Sequence, residues 1–152
     1  MEKLIKQASA GQSLVDMVVT VAIASLVIVA LVFGAVIGLR NVQFSRNQSR
    51  AMELNREASE WLRSENKRSW SQLWRWGSET GSVYCFTGLD FSRNRNCNSS
   101  ESDLIEAKFS RQVILTQARE GETNRLEIII ATSWQDPSGL HSETITTFLT
   151  KY

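Results

Sequence analysis

The sequence predicts an α+β fold, with one long N-terminal helix packed on a C-terminal antiparallel sheet of three strands or more. Three observations predict it. Between Leu14 and Leu39 the only polar side chains are Asp16, Thr20 and Ser25. Residues 40 to 67 contain no Gly or Pro and repeat small or apolar side chains every three to four positions. Residues 108 to 150 alternate in polarity between turn signals.

The apolar run comes first. At 1.5 Å per residue, residues 14 to 39 span about 39 Å of helix, enough to cross a bilayer with some tilt. A cleaved secretory signal has an apolar core of roughly 7–15 residues and a small-residue cut site after it. This run is longer and leads into a helix-favouring polar segment, so it reads as a retained anchor. Ala51, Leu54, Ala58 and Trp61/Leu62 then form a narrow apolar stripe on a charged helix. The simplest structure is one helix, apolar all round in its first half and amphipathic in its second. Two helices with a hinge near Gly38 would give the same topology. Gly34 and Gly38 make a small-residue pair at GxxxG spacing, preceded by Ala30, which lets helices pack closely; glycine is also simply common in membrane helices.

Trp70, Trp74 and Trp76 precede Gly77 and Gly81. Trp70 and Trp74 are four apart and share a face of a short helix, which reads as a lid beside the long helix. A ligand-binding aromatic cluster is the other reading, but no polar partners converge on it in the sequence. Residues 82–103 are rich in Gly, Asn and Ser, with a short strand possible at Val83–Phe86. Cys85 and Cys97 lie in this stretch. If the tail is outside the cytoplasm they pair, closing a loop worth about 3 kcal/mol in the chain-entropy treatment; the alternative is two free thiols. Their spacing is not the CxxC of a redox or zinc site.

Three strands follow. Lys108–Gln117 places Phe109, Val113 and Leu115 on one face. Arg125–Trp134 does the same with Leu126, Ile128, Ile130 and Trp134, and Ser142–Thr150 with Ile145 and Leu149. Glu120-Gly121-Glu122 and Asp136-Pro137-Ser138-Gly139 are the turns, proline pre-setting φ in the second. The sheet's apolar face needs a cover, and the amphipathic half of the helix supplies it.

Charge and motif content narrow the function. The chain has 17 basic and 16 acidic side chains, and those of the tail interleave, so nothing resembles a nucleic-acid footprint. No P-loop, metal-ligand spacing or Ser/His/Asp pattern is found, and His141 reads as a solvated strand residue. The expectation is no enzyme, no cofactor and no metal.

The first residues carry the most information. The leader MEKLIKQASAG contains Lys3 and Lys6 and ends in Ala10-Gly11; Gln12-Ser13-Leu14-Val15-Asp16 and the apolar run follow. This resembles the type IV prepilin signature of a basic leader, a glycine before the cut and an acidic residue fifth in the mature chain. Arg40-Asn41-Val42-Gln43-Phe44, Glu60-Trp61-Leu62-Arg63 and Thr132-Ser133-Trp134-Gln135-Asp136 are similar to minor-pilin-like sequences of the prepilin-type cleavage and methylation family.

The resemblance implies a pilin-like fold and a structural subunit of a type IV pilus or related filament, as a minor pilin or pseudopilin. It implies a leader at 1–11, a transmembrane and filament-core half-helix at 12–39 and an external globular domain at 40–152. A prepilin peptidase would cut between Gly11 and Gln12 and methylate Gln12. Asp16, where the family commonly has Glu, would pair with the N-terminal amine of a neighbouring subunit; otherwise it caps the positive end of the helix dipole. Gln12 replaces the usual aromatic residue or Met, and the proline frequent in this helix is missing. The implied partners are the peptidase, other pilin subunits, the inner-membrane assembly machinery and membrane lipid. The implied location is the cytoplasmic membrane, then a filament on the cell surface.

Two readings stand against this one. The positive-inside count slightly opposes an external tail, since Lys3 and Lys6 precede the run while Arg40, Arg46 and Arg50 follow it. The rival function is a single-span anchored protein whose external domain binds a ligand or partner without polymerising.

Overall fold

The computed structural model describes residues 2–98, 101–120 and 123–151. Two compact units divide the chain, 1–43 and 44–152, and helix α1 (Glu2–Arg68) supplies residues to both. In the first unit the helix has no break at Gly34 or Gly38, so one helix, not a hinged pair, forms.

The second unit is α+β. After α1 come α2 (Trp70–Trp76), β1 (Ser82–Cys85), a 3-10 turn (Glu101–Asp103), β2 (Phe109–Glu120), β3 (Thr123–Asp136) and β4 (Gly139–Thr150). The sheet is antiparallel in the order β1-β2-β3-β4. The short strand expected at Val83–Phe86 forms one residue earlier and makes the sheet four-stranded. The long strands outrun their expected limits because the ladders continue into the turns, to Glu120↔Thr123 and Asp136↔Gly139. Gly121 and Glu122 of the first turn lie outside the described residues. In the second turn, Asp136 Oδ1 accepts from the Ser138 amide at 2.8 Å, and Gly139 sits at φ 134°, a conformation that side chains with a Cβ rarely adopt.

The inner face of the sheet packs on α1. Ala51, Leu54, Ala58 and Leu62 are buried, as the stripe predicts, along with Phe109, Val113, Leu115, Leu126, Ile128, Ile130, Trp134 and Leu149. The core is not continuous. Leu54 and Ala51 pack with Phe109 and Trp134 in one cluster, while Ala58 and Leu62 join the larger cluster with Leu73, Tyr84, Phe86 and the strand centres.

A polar row lies on the same inner face. Arg111, Thr132 and Glu143 are successive partners across β2, β3 and β4, and each engages α1. Arg111, only 2 % exposed, donates to the Leu54 carbonyl at 2.7 Å, the Phe86 carbonyl at 2.9 Å and Glu57 at 3.2 Å. Thr132 donates to Asn55 Oδ1, Asn55 Nδ2 to the Glu143 carbonyl, and Gln48 to the Glu143 carboxylate. Burial pushes the Arg111 guanidinium below its ordinary pKa, with Glu57 pulling the other way. Buried hydrogen-bonding groups left unpaired cost stability, so these pairs restrict how the 44–68 part of α1 seats on the sheet.

Candidate functional site

The first unit presents an apolar helix with nothing covering it. Every side chain from Leu14 to Leu39 is exposed, Leu26 at 71 % and Phe33 at 66 %. An 18-residue window reaches a mean hydropathy of 2.8, so among the described residues one helix is long and apolar enough to cross a membrane. Its hydroxyls are satisfied within the helix: Thr20 Oγ1 donates to the Asp16 carbonyl at 2.7 Å, and Ser25 Oγ to the Val21 carbonyl at 2.8 Å. Both polar groups thereby become compatible with an apolar surround. Asp16 is different, because its carboxylate has no partner among the described residues. At the centre of a membrane helix such a group costs on the order of 2.5–3.5 kcal/mol, less near an end.

Gly34 and Gly38 stand one turn apart, and a Cβ built at either meets nothing within 4 Å. The helix surface there is open to close approach. Gly11 and Gln12 fall within α1, but their side chains lie outside the described residues.

In the second unit the loop between β1 and β2 is fastened at two points. Cys85 and Cys97 form a disulfide, with Cα atoms 4.7 Å apart. The second point is Asp103, whose side chain is wholly buried. Its carboxylate accepts from Arg95 Nη1 at 2.6 Å, Arg95 Nη2 at 2.9 Å, Arg93 Nη1 at 2.8 Å and the Asn98 amide at 2.8 Å. The Arg95 fork and the Asn98 amide hold its pKa down to about 2. Apart from opposite charges in a polar stretch, no local pattern marks this cluster.

No protein-family model, curated protein or solved structure matches the chain.

His141 departs from the expectation of a solvated strand residue. It is half-buried, stacked on Trp134 at 5.4 Å between ring centroids and edge-on to Phe44 at 5.1 Å. Its Nε2 lies 3.0 Å from both Asp136 Oδ1 and Ser138 Oγ. These three side chains do not form a relay. A nucleophile–base–orienter chain uses both ring nitrogens, whereas here Nε2 alone contacts both partners and the same Asp136 oxygen also accepts from Ser138. The arrangement braces the β3–β4 turn. Ser138 bonding holds Asp136 down to about pKa 2.

The tryptophan segment forms the short helix expected of it. Leu73, set among the tryptophans, is its fully buried anchor. The indoles of Trp70, Trp74 and Trp76 pack half-buried around the core edge, joined there by Trp61 and Phe91. Phe91 lies 4.1 Å from the Trp76 ring and 4.9 Å from Tyr84. Tyr84 in turn donates to the Trp76 carbonyl at 2.8 Å.

Proposed function

We propose that this protein is a pilin-like structural subunit of a type IV pilus or related filament, processed after Gly11 and assembled through the apolar part of α1. The observation that carries the reading is the uncovered apolar surface from Leu14 to Leu39 with one carboxylate, Asp16, near its start. A helix of this kind has two stable surroundings, lipid and a bundle of like helices, and a filament subunit uses both in turn. The open surface at Gly34 and Gly38 favours close helix contact in the second. Asp16 is then expensive in lipid but paired in the filament, with the freed amine of a neighbour's Gln12. Pairing of that kind favours the assembled state and fixes its register.

The rest of the chain supports this reading. A helix-on-sheet unit with a fastened loop is suited to the outside of a filament, and the Cys85–Cys97 disulfide favours an oxidising compartment. That argument outweighs the arginine excess after the run. The role is mechanical, and no catalytic residue is assigned.

The test is shearing. Surface filaments sheared from cells making the native chain contain it. The Asp16→Ala variant stays in the inner membrane, with at least a tenfold loss from the sheared fraction, while Asp16→Glu is incorporated. Equal incorporation of Asp16→Ala refutes the role given to Asp16; absence of the native chain from any filament refutes the reading itself.

A further inference from the structure

The geometry points to a binding site for an acidic sugar residue on the groove between α2 and the ends of β3 and β4. The groove is a shallow, open depression of about 620 Å³ lined by Trp70, Ser71, Trp74, Arg75, Asn124 and Lys151. Such a depression suits one residue of a larger chain laid on the surface. In the sequence the tryptophans stand without polar partners. The fold brings two such partners, Asn124 and Lys151, from fifty or more residues further along the chain.

The groove is built on a rigid floor. Leu73 is fully buried and seats α2, which turns Trp70 and Trp74 toward the core edge with ring centroids 5.5 Å apart and planes at 37°. Gln117 Nε2 donates to the Trp74 carbonyl at 2.7 Å and the Gly77 carbonyl at 3.0 Å, tying the end of α2 to β2. Half-buried indoles held in this way offer a contact surface at little further entropic cost.

The chemistry of the lining selects the ligand. Arg75 and Lys151 are exposed and have no acidic partner among the described residues, and none of the described residues lining the groove is acidic. A guanidinium matches a carboxylate with two parallel hydrogen bonds. Ser71 and Asn124 add donors and acceptors for hydroxyls. The indoles suit the apolar C–H face of a pyranose ring. A ring with an apolar face, several hydroxyls and one carboxylate satisfies all of these together.

A nucleic-acid strand fits less well. It needs a stacking platform along a continuing cationic track, and the groove itself supplies two cations, Arg75 and Lys151. The groove at the end of α1 is more basic, with Arg63, Lys67 and Arg68, but Glu60 interrupts it. The site therefore matches one charged residue in a glycan.

The experiment is calorimetry with tryptophan fluorescence on the full chain in detergent micelles, titrated with trigalacturonic acid, sialyllactose, galactotriose and a ten-nucleotide oligothymidylate. At least one acidic sugar binds saturably. Galactotriose binds at least about tenfold more weakly, as does the acidic sugar to Arg75→Gln, in line with the loss of a charge-assisted hydrogen bond. Both cations lie on the surface, so Arg75→Gln and Lys151→Gln keep the parent melting temperature. Binding of neither acidic sugar overturns the proposal. So do equal affinity for galactotriose, no effect of either substitution, or tighter binding of the oligothymidylate. None of these results depends on filament assembly.

Discussion

Thr132 in the middle of β3 donates its hydroxyl to Asn55 Oδ1 on α1 at 2.7 Å, with both residues fully buried. Asn55 Nδ2 continues to the Glu143 carbonyl on β4 at 2.9 Å. One helix side chain thus ties two neighbouring strands, between the two apolar clusters. A helix shifted by one turn would leave Thr132 and the Glu143 carbonyl facing hydrocarbon.

Asn55→Leu removes both bonds and leaves their partners buried. The expected loss is about 2–4 kcal/mol, since each orphaned group costs about 1–3 kcal/mol. The double variant Asn55→Leu/Thr132→Val recovers part of that loss, because it removes the hydroxyl as well as its acceptor. Denaturant unfolding of the full chain in detergent, followed by tryptophan fluorescence, measures both.

Arg111 makes the same kind of prediction more sharply. Its guanidinium serves the Leu54 and Phe86 carbonyls and Glu57 from a buried position. Arg111→Met destabilises by about 3 kcal/mol or more by stranding those carbonyls. Arg111→Lys does not restore stability, as a single ammonium lacks the fork that reaches carbonyls in different directions. Equal stability of the Lys variant and the parent would contradict the role given to the fork.

The disulfide closes a loop with a sequence separation of 12. The chain-entropy treatment gives about 3 kcal/mol for such a loop. The Cys85→Ser/Cys97→Ser variant is expected to unfold earlier by that amount. Amide exchange should rise first in residues 86–98, while β3 keeps its protection until global unfolding.

Acid sensitivity follows from Asp103 and Asp136. Each has an ordinary value of 3.8 and is held near 2 in the fold, Asp103 by Arg95 and Asp136 by Ser138. A carboxylate with a depressed folded pKa stabilises the fold fully above its unfolded value and loses that contribution as pH falls through the folded one. Stability should therefore be flat in these groups above about pH 4 and fall between about pH 4 and 2. Asp103→Asn and Asp136→Asn each flatten part of that slope, which melting curves between pH 2 and 6 would reveal.

The elements were legible in the sequence where periodicity was clean. Ala51, Leu54, Ala58 and Leu62 announced the helix face, and Leu126, Ile128, Ile130 and Trp134 the inner face of β3. What escaped were polar residues occupying inward positions. Arg111 shares its parity with Phe109 and Val113, and Thr132 with Ile130 and Trp134, so alternation alone marked both as inward. Reading only apolar residues hid the polar row. Leu73 was overshadowed by the larger tryptophans around it. The surroundings of His141, Asp103 and the Trp70–Trp74 groove depend on partners from other elements, or on loop geometry that no local pattern encodes.

The processing site lies between Gly11 and Gln12, ahead of the apolar run, and rests on residues 1 to 39 alone. Intact-mass and N-terminal peptide mass spectrometry of the protein from its native cells tests the central claim directly. The expected chain begins at Gln12, with the leader through Gly11 removed and the new amine methylated. A chain retaining Met1 through Gly11 would contradict it.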